Sequence, residues 1–423
     1  MNSRLIVLST AAFFFIKSAA ACAGQQMTLG QCIAKAIELH PSLTAAEGTI
    51  ESDRAKASQQ AVNSRLSASV RSGYTRSGST KGVNSGSNDG DWSTGVTLSQ
   101  LVYDWGKTGT AVKSAKLTTQ AAEKTAARTR ETVIAGVRDA YYALNKAVRD
   151  VEVQQEQVHN YGQRLEWAKT YYSVGTKAKI EVTKAETDLA NARLALIKAE
   201  SAAEQAKAQL ASAIGDPALI IDSVKDELEF ADWSIELEEA LKRAQANRPD
   251  LAAEELLVKK AEMDLKSAKL TNAPSVSASA GYNFGGTGYY DDDQWTTGLT
   301  LLVPVGDGGE TKARTAQAKA DLKVASANRD KLLQDVVLDV RTAWQSLRES
   351  AASITAARAA EKQARENLDL ALGRYRAGVG DSLEVSDAVD SYASARSTVI
   401  ASLYDHKEAR LNLEKAMGEV SEL

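Results

Sequence analysis

Proline is scarce in this chain, at five residues in 423, so little stands in the way of very long helices. Cysteine is scarcer. Only Cys22 and Cys32 occur, and cleavage of the N-terminal apolar segment would leave Cys32 alone, which excludes a disulfide framework. His40, His159 and His406 are isolated, with no cysteine or carboxylate at ligand spacing, and this argues against a metal site. Aromatic residues make up 6 %, too few for a thick globular core. Net charge is −4 and the isoelectric point about 5.7, which excludes a general affinity for nucleic acid. No Gly-x-Ser-x-Gly occurs, and GGTG and GVGDS lack the strand and lysine of a phosphate loop. No residue set points to an enzyme or a cofactor.

Residues 1–23 read as a secretory signal, with Arg4, the run LIVLSTAAFFFI and small residues around AAACAG. A lipoprotein signal prefers a larger aliphatic residue where Ala19 stands, three before Cys22, so ordinary cleavage near Ala21 or Ala23 is expected. No later apolar run is long enough to span a bilayer as a helix. What the chain does have is alanine-rich apolar content, 43 % hydrophobic at a mean hydropathy of −0.30, which suits long, closely packed helices.

It also has itself twice. Residues 27–47 align with 234–255, setting Pro41 on Pro249 and Leu43 on Leu251, an offset of 208. From Trp92 onward the offset is 203, carrying Trp92 to Trp295, Tyr172 to Tyr375 and Gly215 to Gly418. The halves therefore differ by one loop and otherwise stay in register. Each reads as helix, two strands, long helix, turn and return helix. The first repeat spans 24–216, with strands about 65–78 and 92–103, a long helix 105–172 and a return helix 181–214. The second spans 234–423, with strands about 274–285 and 295–305, a long helix 308–375 and a return helix 382–418. Residues 217–233 link them.

The strands alternate apolar and small polar residues, as in SVSASAGYNF, and the loops between them are polar and glycine-rich. Such strands suit a membrane barrel. Four per chain cannot close one, so several copies are required. On the long helices, Val137, Leu144, Val151, Val158, Leu165 and Tyr172 recur every seven residues, as do Val340, Leu347, Ile354, Leu368 and Tyr375 with one gap. That period predicts coiled-coil packing.

The duplicated strands, the heptad helices, the HPSL and RPDL openings and the two Tyr-x-x-Gly turns together resemble the TolC-type outer-membrane efflux proteins, over about residues 27–420. The resemblance implies a mainly α fold with a membrane β-barrel. Three copies would close a twelve-stranded barrel, continued by a long coiled-coil tunnel across the periplasm of a Gram-negative bacterium. It implies a homotrimer in outer-membrane lipid, partnered by a periplasmic adaptor and an inner-membrane ABC or proton-driven pump, with no cofactor and no nucleic acid. The short linker and the end at Leu423 imply a reduced equatorial belt.

At the periplasmic tip the resemblance implies acidic rings from Glu384, Asp387 and Glu181, with Asp381 as a helix cap. The resemblance also implies a gate and hairpin tip formed by Tyr375, Tyr172, Gly175 and Gly378. A basic residue of the family's pattern is replaced by Gly380, leaving Arg376 and Lys179 as the nearby cations. The expected function is a passive exit duct, foremost for type I protein secretion, with small-molecule efflux as the alternative. A trimeric coiled-coil stalk would share the heptads and strands but not two antiparallel hairpins per copy. A periplasmic adaptor would carry one hairpin, not two.

Overall fold

The computed structural model describes residues 26–76, 90–286 and 292–421. The expected signal segment, Cys22 and most of the two strand-connecting loops lie outside those residues. In chain order the first half contains α1 (Leu29–Leu39), α2 (Pro41–Val62), β1 (Ser67–Arg76), β2 (Gly90–Tyr103), α3 (Lys107–Ser173) and α4 (Lys179–Ile214). The second half repeats them as α5 (Leu237–Asn247), α6 (Pro249–Lys269), β3 (Ser275–Gly286), β4 (Asp292–Leu302), α7 (Glu310–Arg376) and α8 (Ser382–Met417).

Local chemistry explains the breaks. Thr28 and Gln31 cap α1 reciprocally, each side chain accepting from the other's backbone N–H. Pro41 and Pro249 have no N–H to give and take the first position of α2 and α6, so the chain bends before each. Pro304 likewise cannot donate to a ladder. β4 stops at Leu302, short of the 305 expected from alternation, and begins earlier because Asp292 and Asp293 pair with Gly285 and Phe284.

The four strands form one antiparallel sheet in the order β1-β2-β3-β4, with β2 against β3 joining the halves. Register puts Val70 opposite Val96, Val96 opposite Tyr282 and Tyr282 opposite Trp295 on one face. Ser69, Thr97, Gly281 and Thr296 occupy the other. The apolar face is bare: Val70, Trp295 and Leu299 are each more than 70 % exposed. β1 and β4 are open edges within the chain, and the sheet does not close on itself.

α3 and α7 are 67 residues each, about 100 Å at 1.5 Å per residue. α3 packs on α2 and α4 along one side and on α6 and α8 along another, while α7 packs on α6 and α8. The shorter helices meet end to end. A Cβ on Gly215, at the end of α4, would lie 2.8 Å from the Cα of His40, and one on Gly418, at the end of α8, 2.8 Å from the Cα of Arg248.

Apolar burial concentrates in three clusters. One cluster joins α1, mid-α3, the end of α4 and the linker residues Ile221, Val224 and Leu228. A second gathers α5, α7 and the end of α8. The third lies under the two turns. The linker is tied down by Tyr141, whose hydroxyl donates to the Lys225 carbonyl at 2.6 Å, and by Met27, which exchanges backbone bonds with Ser223 and Lys225.

Candidate functional site at the hairpin tips

Both turns reverse the chain through a glycine in the left-handed region, Gly175 at φ 77° and Gly378 at φ 76°, a conformation that costs other residues. Gly175 N–H donates to the Tyr172 carbonyl and Gly378 N–H to the Tyr375 carbonyl, both at 3.0 Å. The turns are thus copies in backbone, but their side chains diverge. Tyr375 is 1 % exposed and Tyr172 48 % exposed. Tyr171 takes the inward place instead. Its ring meets Tyr375 edge-on at 5.8 Å, and its hydroxyl donates to the Arg376 carbonyl at 3.0 Å. The strict heptad therefore holds on α7, where all five named residues are buried, and lapses at the foot of α3. There α3 has α4 on one side and α8 on another, so the face to be covered is no longer a single stripe.

Of the three acids expected at the tip, Glu181 is the one whose charge reaches Tyr375. The Glu181 Oε2 and the Tyr375 hydroxyl are both buried without a hydrogen-bond partner in the chain. Burial raises the Tyr375 pKa above the ordinary tyrosine value, and the Glu181 carboxylate adds to the rise. Glu384 is exposed and ion-paired with Arg374 at 3.2 Å, so its charge is partly offset within its own hairpin. Asp387 is exposed, one turn further along α8. Asp381 caps α8, accepting from the Leu383 N–H.

The missing base at Gly380 has a steric counterpart. A Cβ there would sit 2.7 Å from the Tyr375 nitrogen. Of the two nearby cations, Arg376 lies over the Trp167 ring at 4.7 Å and Lys179 is exposed.

The family model for outer membrane efflux proteins matches residues 32–216 and 240–419. The chain belongs to that family. The outer membrane protein TolC of Vibrio cholerae is 25 % identical over 342 residues, covering 78 % of this chain and 77 % of that protein. The pyoverdine export outer membrane protein OpmQ of Pseudomonas aeruginosa is 23 % identical over 337 residues, covering 77 % and 70 %. The fold superposes on the solved structure of CusC with a TM-score of 0.82 at 18 % identity, covering 92 % of each chain. As an outer membrane efflux protein, the chain is a channel component and not an enzyme. Its place is the outer membrane of a Gram-negative bacterium, with the helices reaching into the periplasm.

Two features escaped the sequence reading. Aromatic residues mark both ends of the sheet. Tyr74 and Trp92 pair at 5.0 Å and Tyr282 and Phe284 at 4.7 Å toward one end, while Tyr103 and Trp105 pair at 4.8 Å at the other. Trp92 and Tyr103 lie 11 positions apart on β2. At about 3.3 Å per residue and a tilt near 45°, that spans about 25 Å, the height of a barrel's apolar band. Tyr and Trp at strand ends were the available signal. The second feature is Arg164, wholly buried on α3; as one arginine among many on a charged helix it gave no signal.

Proposed function

We propose that three copies of this outer membrane efflux protein close a twelve-stranded barrel, β4 of one against β1 of the next, and form the exit duct of a tripartite exporter. A periplasmic adaptor would dock at the hairpin tips and an inner-membrane pump, of the ABC or proton-driven type, would supply the energy. The observation that carries this reading is the pairing of a bare apolar strand face with two long hairpins in one chain. Neither a soluble sheet nor a simple stalk needs both.

At the tip, Glu181 and Tyr375 form the restraint on the entrance. Two orphaned polar groups in one buried spot cost about 1–3 kcal/mol each, and a hydrogen bond between them in the closed trimer removes that cost. Asp387, and Glu384 where Arg374 leaves it charge to spare, line the constriction and favour cations. Tyr172 is exposed at the hairpin tip. Gly175 and Gly378 set the turns.

The cargo we propose first is protein, delivered by type I secretion. It rests on the sequence feature that Ala19 stands where a lipoprotein signal prefers a larger residue. Small-molecule efflux is the second reading, favoured by the relative named for pyoverdine export. Planar-bilayer recording of the purified trimer, wild type beside Glu384→Gln/Asp387→Asn, tests the duct. Cation-selective channels that lose selectivity in the double variant are expected. No channel from a folded wild-type trimer would overturn the duct, and unchanged selectivity would move the constriction away from these acids. In a strain lacking the protein, loss of a secreted protein with unchanged drug tolerance supports the first cargo; the reverse supports the second.

A further inference from the structure

The polar face of the sheet is built largely of serine, threonine, glycine, asparagine and glutamine. Its carboxylates among the described residues, Asp91 and Asp292, stand at the strand ends farthest from the helices, opposite Thr75 and Gly285. In the body of the face there is one charge, Arg71. Arg71 pairs with Gly95, Gly95 with Asn283 and Asn283 with Gln294, a row without a carboxylate. The space that a Cβ on Gly95 would take is filled by the Asn283 side chain, so its carboxamide lies over the residue beside Arg71. Arg71 itself is exposed and has no ion-pair partner among the described residues.

The repeat isolates this arginine. At the offset of 208, Ser67, Ser69, Arg71 and Gly73 fall on Ser275, Ser277, Ser279 and Gly281. Wetting a lumen needs only what the second half has, so the guanidinium is an addition to the common plan. Threefold symmetry sets its three copies at one height. A twelve-stranded barrel, with strands about 4.8 Å apart and tilted near 45°, is roughly 25 Å across. A guanidinium extended from that wall comes within about 8 Å of the axis, which is the Debye length at 0.15 M salt. The field of the three therefore reaches the centre of the lumen. Arginine rings in a pore favour anions, and each guanidinium is a planar fork of donors that matches carboxylate and phosphate oxygens. The carboxamides of Asn283 and Gln294 add donors on the same row.

We propose that Arg71 forms a ring of three guanidiniums inside the barrel, an oxyanion-binding subsite for carboxylate or phosphate groups in the lumen. This rests on the barrel reading above and adds a second filter, opposite in sign to the acids at the tip. A solute on its way out meets carboxylates first and guanidiniums after the length of the helices, about 100 Å.

The test is block of the full-length trimer in planar bilayers by tripolyphosphate, added on the side of the strand-connecting loops. Wild type, Arg71→Gln and Asn283→Asp are compared at several salt concentrations. Wild type is expected to be half-blocked at a concentration about tenfold or more below that for either variant, and the block should weaken as salt rises. Arg71→Gln removes the ring. Asn283→Asp keeps the side-chain shape, puts a carboxylate beside each guanidinium, and decides the matter alone where Arg71→Gln fails to assemble. Conducting wild-type channels that tripolyphosphate does not block would overturn the subsite. So would block left unchanged in either variant that assembles. If wild type conducts nothing, the duct reading falls, and equilibrium binding to the trimer in detergent decides the ring. One tripolyphosphate per three chains, lost in Arg71→Gln, would support it. One per chain, none, or binding kept in Arg71→Gln would overturn it.

Discussion

At the residue scale, the glycines that matter most are not only those in the turns. Gly215 and Gly418 have φ of 90° and 71°, and each presses its α-carbon side against the backbone where the next short helix begins. Two requirements coincide there: a left-handed backbone to end α4 or α8, and no side chain to obstruct α2 or α6 stacked beyond it. Gly215→Ala and Gly418→Ala are each expected to destabilise the chain by about 1–3 kcal/mol through backbone strain and overpacking. The measurement is the temperature at which the trimer dissociates in detergent. Gly136→Ala, in mid-helix with open space around its Cβ position, is the control and should hold or slightly raise that temperature.

Among the elements, the linker is held to the hairpins by a few buried contacts, and His406 is one of them. Its ring packs against Phe230 at 4.9 Å, and its Nε2 lies 3.4 Å from the Ala231 carbonyl. Burial lowers the His406 pKa below the ordinary value of 6.5, with Lys407 and Arg410 acting the same way, against the opposing pull of the Ala231 carbonyl and Asp232. A histidine with a depressed folded pKa binds its proton more readily when unfolded, so stability is full above the unfolded pKa and falls as pH drops below it. Melting temperature should therefore decline as pH falls below about 6.5, and His406→Gln should flatten part of that decline. An unchanged slope in the variant would assign the acid sensitivity to other groups. The elements themselves were legible in the sequence because Pro41, Pro249 and the two Tyr-x-x-Gly turns punctuate an otherwise uninterrupted helical pattern. The tip was legible in its backbone and less so in its side chains. Glu181 and Tyr375 stood out as duplicated positions, but the Arg374 partner of Glu384 and the exchange of Tyr171 for Tyr172 depend on how α3 meets α4 and α8 together. Arg164 was invisible for the same reason: its partners come from two other helices, the adjacent α4 and the distant α8, and no spacing along one helix encodes them.

For the whole molecule, the bare sheet face and the two open edges are an argument for assembly in a membrane. A four-stranded sheet with Val70, Leu299 and Trp295 open to water would be an aggregation site in a soluble protein. Surrounded by lipid, with β1 and β4 paired to neighbouring copies, the same face becomes the outer wall of a barrel and the serine and threonine face its lumen. The register makes this directly testable, because adjacent residues on one strand then face opposite solvents. Leu299 pairs with Ala278 on the apolar face, and its neighbour Thr300 pairs with Ser277 on the polar one. Leu299→Arg places a charge in hydrocarbon, at a cost of about 2–4 kcal/mol near the bilayer midplane, and is multiplied by three in the trimer. Heat-resistant trimer in the outer-membrane fraction should fall sharply. Thr300→Arg, one residue away, should leave trimer yield near wild type and shift ion selectivity toward anions. If both variants assembled equally well, the polar and apolar faces would not be lumen and lipid, and the barrel would have to be abandoned in favour of a sheet buried between protein layers.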